Sequence, residues 1–499
     1  MRLLSLIFIV FLYSACNSGS TAKVETNNNT ATSIQTTNLG PVKTIVSADP
    51  IGSADIEVEV LGIPDGPVSL IGHLEDRQFR VDSSYLQNGK TRFVKKEGYQ
   101  QGFYFIYLPN RMGIQVLLGE DQKFSISTDA DDFMMATEVK GSEDNIIFYQ
   151  NLKFQEEQIP LFQTIAQNKQ GKDPVSLEFQ KLDDQQNALL EERKKHLNEI
   201  FTKYPNSLFT VFKKAGQNPD LQDIRNPDGT VDQATQIKLY LKDFWKDVDF
   251  SDERLLRTPV ISNKLKRYFK ELTPQHQDSI IKSADALVQQ VEGRYPAYFK
   301  FFVNWVPLQY QPTQVPLMDA EAVMVHMVQN YFTTEKATWT SAAEIQGLQQ
   351  RAMEMEASLV GRKGPDVIST DPSGKQRSIY DMKQDYITVL LFNPECEHCI
   401  EETPQLLALH RRLKKDMGIY AIAIDTDDTK WRNFIQQFGT QEWTNVYDPT
   451  NRSIYAKYFV DKTPEIYVLD PDRTIIAKNI KVFQLEEVIR RDKEKRGRK

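Results

Sequence analysis

Two of the three cysteines in this chain, Cys396 and Cys399, lie three positions apart, and they constrain the fold more than any other feature. The apolar run Tyr386–Phe392 precedes them, and a pattern of helical period follows them. We therefore predict a buried strand that turns into a helix, with Cys396 at the helix N-terminus. That placement is typical of a C-x-x-C redox centre.

The spacing of these cysteines argues against two structural roles. A disulfide between them would close a loop too small to add much stability to a chain of 499 residues. A structural zinc site would need two more ligands, and the sequence offers no second Cys/His pair for it. We therefore expect redox-active thiols, no metal and no cofactor.

Composition narrows the class of protein. At roughly 150 residues per domain, the length suggests about three domains. The chain is 40% hydrophobic, which is enough for several buried cores. Its net charge of −7 argues against nucleic-acid binding, for which domains are usually basic.

The first 15 residues have the pattern of an export leader. Arg2 is followed by the apolar run Leu3–Tyr13, then by two small residues and Cys16. As a helix the run would span ~17 Å, well short of the ~30 Å hydrocarbon layer. The segment resembles the lipobox of bacterial lipoproteins, which implies that Cys16 is lipidated, although Tyr13 is larger than that pattern prefers. The alternative is an ordinary secretory signal with an incidental cysteine.

Residues 16–50 are rich in Asn, Thr and Ser, which predicts a flexible tether. Residues 51–140 follow as a β-rich domain, since apolar Ile56, Val58 and Val60 alternate with glutamates. Turn signals such as Asn88–Gly89 separate the strands. A small antiparallel sandwich or barrel fits this pattern. The further strand candidates are Val68–Gly72, Phe103–Leu108, Ile114–Leu118 and Phe124–Ser127.

Residues 141–358 predict an α-helical domain. Asp173–Pro174 and Thr273–Pro274 are candidate helix starts, with an N-cap followed by proline. Ser341 and Glu344 fit a capping box. A lone histidine, His326, has no second ligand one turn away, so we predict no metal there. An aromatic cluster is assigned to core packing in preference to a binding groove; its members are Tyr295, Tyr298, Phe299, Phe301, Phe302 and Trp305.

Residues 359–499 alternate between strand and helix patterns. We predict strands at Tyr386–Phe392, Ile419–Ile424 and Ile466–Leu469, with helices between them. This order favours a mostly parallel α/β sheet with an antiparallel hairpin at one edge. The predicted fold class is therefore a multidomain chain with an N-terminal β-domain, a central helical domain and a C-terminal α/β domain.

The C-terminal domain resembles the thioredoxin fold, and within it the TlpA/ResA-like, AhpC/TSA-related thiol–disulfide oxidoreductases. Three features match in register: Cys396–Glu397–His398–Cys399, then Pro404, then Thr463–Pro464 before a strand. The resemblance implies that Cys396 attacks a substrate disulfide and Cys399 resolves the mixed disulfide. It also implies a cis peptide at Pro464, where the backbone of Thr463 pairs with substrate.

Neighbouring residues suggest how the thiols are tuned. His398 would lower the pKa of Cys396, whereas Glu395 and Glu397 would oppose it; the alternative is that His398 is a solvated residue of the first helical turn. The resemblance implies that Glu402, three residues after Cys399, assists proton transfer; the alternative is an exposed helix carboxylate. The chain departs from thioredoxin in having Glu395 where tryptophan is usual and Leu390 where a buried acid is usual.

The order of β-rich, helical and redox regions resembles multidomain envelope lipoproteins of Bacteroidota, through the short stretches Gly141–Ser142 and Tyr295–Pro296–Ala297–Tyr298. With the leader, it implies a lipid-anchored protein that faces the periplasm. The expected function is a thiol–disulfide oxidoreductase, in the reductase direction. The expected partners are protein thiols and disulfides and a membrane electron donor.

Two alternatives remain open. A peroxiredoxin-like peroxidase shares the fold, but it needs a threonine three residues before the attacking cysteine. In this chain Asn393 occupies that position. The second is a non-catalytic binding lipoprotein with a thioredoxin-like scaffold. A scaffold of that kind would be expected to lose its cysteines, and this chain keeps both.

Overall fold

The computed structural model describes residues 41–311, 315, 317–450 and 457–497. Strands, then a run of helices, then an α/β domain follow one another along the chain, which confirms the multidomain fold class. The chain divides into two compact units between Tyr268 and Phe269. The domain boundaries given above stay predictions. The leader with Cys16, and most of the predicted tether, lie outside the described residues.

Within those ranges, no helix combines the length and apolar character that crossing a bilayer requires.

The first unit begins with two four-stranded sheets, ordered β4-β1-β7-β8 and β3-β2-β5-β6. The strands are β1 (Ala54–Leu61), β2 (Gly66–Leu74), β3 (Arg77–Leu86), β4 (Lys90–Lys95), β5 (Gly102–Tyr107), β6 (Gly113–Leu118), β7 (Lys123–Asp129) and β8 (Glu138–Lys140). Asn88 and Gly89 form the turn between β3 and β4, with φ of 50° and 73°. The predicted strands all form.

The sandwich or barrel was expected to be antiparallel, and the pairing of β1 with β7 departs from that expectation. β1 and β7 pair in parallel, with Val58 opposite Ile126. Alternation of apolar residues predicts which face of a strand is buried, but it carries no information on strand direction. Sequence patterning also missed β3, β4 and β8. The edge strand β3 is largely exposed and mostly polar, and β8 has only three residues.

Helices complete the first unit: α1 (Glu143–Lys169), α2 (Leu177–Lys203), α3 (Leu208–Ala215), α4 (Gln233–Asp243) and α5 (Pro259–Arg267). The predicted start of α2 at Asp173–Pro174 was wrong. Ser176 is the N-cap, and its hydroxyl accepts the N–H of Phe179 at 3.2 Å. The Asp173 carboxylate instead accepts the N–H of Val175, which closes a local turn before the helix.

The second unit opens with α6 (Gln277–Val288), α7 (Pro296–Gln309), α8 (Ala320–Tyr331) and α9 (Ala342–Glu356). The predicted aromatic cluster lies on and just before α7 and is buried, as expected of core residues. The capping box of Ser341 and Glu344 is confirmed at the start of α9. The predicted start at Thr273–Pro274 was wrong, since α6 begins at Gln277 after its N-cap His276.

Two isolated histidines have structural partners. The Nε2 atom of His326 lies 2.7 Å from an oxygen of Asp285, which accounts for its place in α8. In the first unit, His73 is 8% exposed and lies 3.1 Å from the Gln78 amide nitrogen. Burial lowers the pKa of His73 to about 4, so it is neutral at physiological pH.

A seven-stranded sheet forms the C-terminal domain, in the order β10-β9-β13-β12-β11-β14-β15. Its elements are β9 (Ile368–Thr370), β10 (Gln376–Ser378), β11 (Tyr386–Phe392), α10 (Glu397–Leu413), β12 (Met417–Ala423), α11 (Asp428–Phe438), β13 (Thr444–Tyr447), β14 (Glu465–Leu469), β15 (Ile475–Lys478) and α12 (Leu485–Gly497).

The description of this sheet as mostly parallel was wrong. β11 pairs in parallel with β12, and β12 with β13. The remaining pairs are antiparallel, and they lie at both edges of the sheet. β9 and β10 have three residues each, too few for a recognisable alternation. The central strands β11 and β12 are buried along their whole length, which makes them a rigid base for the loop after β11.

Candidate active site

The two cysteines lie where the buried strand β11 turns into α10. Cys396 is the N-cap of α10, as predicted, and its carbonyl accepts the N–H of Ile400 at 3.0 Å. Asn393 fixes the turn: its side-chain oxygen accepts the N–H of Glu395, and its amide donates to the Asp425 carbonyl. Pro404 lies inside the helix. The N–H groups of the first helical turn therefore point toward the thiol.

Thr463 and Pro464 face this helix end. The peptide bond between them is cis, which confirms the prediction. The Cys396 thiol donates a hydrogen bond to the Thr463 carbonyl, with Sγ 3.2 Å from the oxygen. The tertiary fold thus brings together two stretches 67 residues apart in the sequence.

The net pKa of Cys396 lies below its ordinary value. Partial burial raises this pKa, but hydrogen bonds from the Thr463 side chain and from the backbone N–H groups of Cys399 and His398 outweigh it. Those groups stabilise the thiolate because they donate to a negative charge at a helix N-terminus. Cys396 is half-buried, so the thiolate is accessible to a reactant.

Cys399 has the opposite character. It is 2% exposed and packs in the core cluster of the domain. Burial raises the pKa of Cys399 to about 12, and the neighbouring Cys396 adds to that rise. Both cysteines are free thiols. One thiol is therefore accessible and acidic, and the other is buried and protonated.

The charged side chains of Glu395, Glu397 and His398 form no described contact with either thiol. Glu397 and His398 are exposed, and His398 Nδ1 lies 3.4 Å from an oxygen of Glu401. Glu395 accepts a hydrogen bond from Lys430 at 2.8 Å. The backbone N–H of His398 contributes to thiolate stabilisation, whereas its ring forms no described contact with Cys396. Tuning by the Glu397 and His398 side chains stays a prediction.

Glu402 lies one helical turn beyond Cys399. Its side chain is 17% exposed, and it accepts a hydrogen bond from Lys481 at 2.6 Å. The sequence did not indicate this ion pair, because Lys481 is 79 residues away. The role of Glu402 in proton transfer stays a prediction. Leu390 lies in the apolar core where thioredoxin carries an acid.

Sequence reasoning missed a buried acid beside the site. Glu465 follows Pro464 directly, is 3% exposed and pairs opposite Leu391 of β11. Burial raises the pKa of Glu465 to about 8. The only signal in the sequence is a glutamate at the start of an otherwise apolar strand.

Metal binding has no structural support in the described part of the chain, where no three His, Cys, Asp or Glu side chains are grouped to hold an ion.

The C-terminal domain that carries this site is similar to known thioredoxin-like proteins. A thioredoxin-like family model matches residues 384–475. The thiol-disulfide oxidoreductase ResA of Bacillus thuringiensis (strain Al Hakam) is 26% identical over 129 residues, covering 26% of this chain and 73% of that protein. ResA of Bacillus anthracis gives the same values.

Solved structures include a thioredoxin-like protein from Bacteroides caccae, with 18% identity, a TM-score of 0.44, and coverage of 54% of this chain and 98% of that one. A domain of a possible thiol-disulfide isomerase from Cytophaga hutchinsonii is 31% identical, with a TM-score of 0.27 and coverage of 28% and 97%. From the family match and the ResA similarity, the C-terminal part of this chain is a TlpA/ResA-like thioredoxin-fold domain, and its relatives support oxidoreductase activity.

Proposed function

We propose that this protein is a thiol–disulfide oxidoreductase that reduces protein disulfides through Cys396 and Cys399. The observation that carries the proposal is the asymmetry of the two thiols. The pKa of half-buried Cys396 is lowered, whereas the pKa of buried Cys399 is raised to about 12. A nucleophile and a protected resolving thiol require that difference.

The reaction proceeds in two exchanges. The Cys396 thiolate attacks one sulfur of a substrate disulfide, forming a mixed disulfide and releasing the other sulfur as a thiolate. Cys399 then loses its proton and attacks Cys396 Sγ, which releases the second substrate thiol. The substrate gains two electrons, and the enzyme is left with a Cys396–Cys399 disulfide. Glu402 is the proposed acceptor for the Cys399 proton, because it shares a helix face with it.

The cis-proline loop is the proposed docking site for substrate. Thr463 already accepts a hydrogen bond from the Cys396 thiol, so an extended segment bound there would lie beside the nucleophile. Backbone pairing of this kind recognises an extended chain with little dependence on its sequence.

The proposed location is the cell envelope, with a lipid anchor at Cys16 and the active site facing the periplasm. The support is the leader Arg2–Ala15 and the cysteine that follows it. An oxidised enzyme outside the cytoplasm needs a source of electrons, and a membrane dithiol donor is the proposed reductant. ResA similarity supports the chemistry but not the direction.

The decisive experiment is to express Cys399→Ser in the native host and to isolate mixed disulfides. We expect Cys396 to stay linked to its substrates, which mass spectrometry identifies after reduction. Cys396→Ser/Cys399→Ser is the matched control and should capture nothing. If Cys399→Ser forms no mixed disulfide and the wild type fails to reduce insulin, the oxidoreductase proposal is wrong.

Two further measurements test the alternative peroxidase function and the proposed lipid anchor. Consumption of hydrogen peroxide by the reduced protein, at a rate rivalling disulfide reduction, would favour a peroxidase. Labelling with a fatty-acid probe, lost in Cys16→Ser, tests the lipid anchor. A labelled Cys16→Ser protein would contradict attachment at that residue.

A further inference from the structure

A cluster of buried charges lies behind the cis-proline strand, and the proposed reaction does not use it. Lys478, on β15, is fully buried, and its Nζ lies 3.4 Å from an oxygen of Glu321 on α8. Glu321 is 2% exposed, and the Asn479 amide lies 3.1 Å from each of its carboxylate oxygens. Glu465, at the start of β14, completes the cluster.

Lys478 interacts with both Glu321 and Glu465. The Glu321 carboxylate contacts both Lys478 and the amide of Asn479. Glu465 has an oxygen, Oε1, without a hydrogen-bond partner among the described residues. Burial of this poorly paired carboxyl group disfavours its ionised form and raises the pKa of Glu465 to about 8, so Glu465 is mostly protonated at pH 7.

The cluster is connected to the redox site through the backbone from Glu465 to Thr463. Glu465 follows Pro464 in the chain, and Thr463 accepts the hydrogen bond of Cys396. Lys478 pairs across the strands with Tyr467, and its Nζ lies 5.2 Å from that ring centre. Any change in which acid holds Lys478 therefore acts on the first residue of β14, next to the loop that contacts the nucleophile.

We propose that Glu321 is a positioning residue for Cys396, acting through Lys478 and Glu465 on the cis-proline loop. α8 lies outside the residues that match the thioredoxin-like family. The helical region thereby influences the reactivity of Cys396. The inference rests on the proposed role of Cys396 as the nucleophile.

Loss of the Glu321 charge should raise the pKa of Cys396. In Glu321→Gln, Lys478 loses its carboxylate partner, and Glu465 ionises to replace it. That ionisation shifts the start of β14, which weakens the hydrogen bond from the Thr463 side chain to the thiolate. It also adds a negative charge near Cys396. Both effects raise the pKa of Cys396.

Other charged groups also act on the cluster. Lys462 and the Tyr467 hydroxyl act on Glu465, together with Lys478 and Glu321. The buried Asp319, one residue before α8, and Asp461, in the loop before Thr463, both interact with Lys478. The four groups other than Lys478 and Glu321 are present in every variant of the test.

The test measures the rate of Cys396 alkylation by iodoacetamide across pH in the full reduced chain. We expect Glu321→Gln to react about threefold more slowly at pH 7, equivalent to a rise of about half a unit in the pKa. The rate should recover at high pH. Glu321→Asp should restore part of the lost alkylation rate. Glu321→Gln/Lys478→Met removes both charges, leaves Glu465 neutral and should restore the wild-type profile.

Glu486→Gln is the matched control, because it removes a carboxylate from an exposed pair with Arg412 and should leave the profile unchanged. If Glu321→Gln does not fold, Asn479→Gly keeps every charge, suits the φ of 53° at that position and should give a smaller shift in the same direction. Circular dichroism and thermal unfolding monitor folding.

A folded Glu321→Gln with an unchanged profile would overturn the inference, as would a double variant that behaves like Glu321→Gln alone. These results are distinct from failure of the proposed function, which would appear in the wild type as a Cys396 without enhanced reactivity.

Discussion

At the scale of single residues, the site depends on two thiols of the same chemical type in different surroundings. Cys396 is half-buried among hydrogen-bond donors at a helix N-terminus, whereas Cys399 is enclosed by apolar side chains. Donors favour the thiolate and burial favours the thiol, so the two environments give the cysteines different pKa values, as the proposed roles of nucleophile and resolving thiol require.

We predict selective alkylation of the reduced protein at pH 7.5. Iodoacetamide should modify Cys396 and leave Cys399 unmodified, because the pKa of Cys399 is raised to about 12. Cys399→Ser should keep the fast reaction, and Cys396→Ser should react at least ~100-fold more slowly. Peptide mapping by mass spectrometry locates the label. Equal labelling of both thiols would contradict the assignment.

Glu402 offers a second prediction at this scale. Glu402→Gln removes the proposed proton acceptor and should slow turnover at least ~10-fold, within the usual effect of losing a general base. Lys481→Met removes only the cation of the 2.6 Å ion pair and should change turnover less than about twofold. Insulin reduction measures both. Equal effects in the two variants would make Glu402 a structural residue.

At the scale of secondary structure, capping decides where several helices begin. Ser176 and Ser341 each accept an N–H of the first turn, and the capping box at Ser341 and Glu344 is readable in the sequence. Proline after a potential cap was a poorer guide at Asp173 and Thr273. A local side-chain turn formed at Asp173 before the helix instead. Short-range signals identify a helix but place its first residue less well.

Loss of the Ser341 cap should loosen α9. In Ser341→Ala, the N–H of Glu344 loses its acceptor at 3.3 Å, so the helix should lose about 1 kcal/mol. Hydrogen exchange of the first-turn amides should then be about fivefold faster, since 1 kcal/mol corresponds to that factor. Ser341→Thr keeps the cap and should exchange nearly as the wild type does. Unchanged exchange in Ser341→Ala would show that tertiary packing alone holds the helix end.

At the scale of the whole molecule, buried titratable groups give the two units opposite dependences on pH. In the first unit, burial lowers the pKa of His73 to about 4, and in the second, burial raises the pKa of Glu465 to about 8. His73 therefore favours the folded state above pH 6.5 and loses that stabilisation as pH falls toward 4. The folded state binds the Glu465 proton more tightly, so stability falls as pH rises from about 4.5 to 8.

His73→Phe tests the first of these dependences. Between pH 7 and pH 4.5 the wild type should lose about 2–3 kcal/mol more stability than the variant, because only the wild type must keep a buried imidazole neutral. Urea unfolding of the full chain, followed by a probe in the first unit, measures the difference. Parallel losses in the two proteins would mean that His73 does not control acid stability.

The sequence by itself determined the local features of this protein: the buried strand β11, the helix that begins behind Cys396, the cis-proline loop and the order of β-rich, helical and α/β regions. These follow from periodicity, capping and short motifs, which are encoded in neighbouring residues.

Only the tertiary structure decided strand direction, the antiparallel edges of the C-terminal sheet and the partners of charged side chains. Glu402 with Lys481 and Glu321 with Lys478 are each brought together across more than 70 residues of chain. Such pairings depend on how elements pack, and packing carries no signature in a local stretch of sequence. The sequence around Cys396 indicated the proposed nucleophile, but the groups that lower its pKa include Thr463, which only the fold brings next to it.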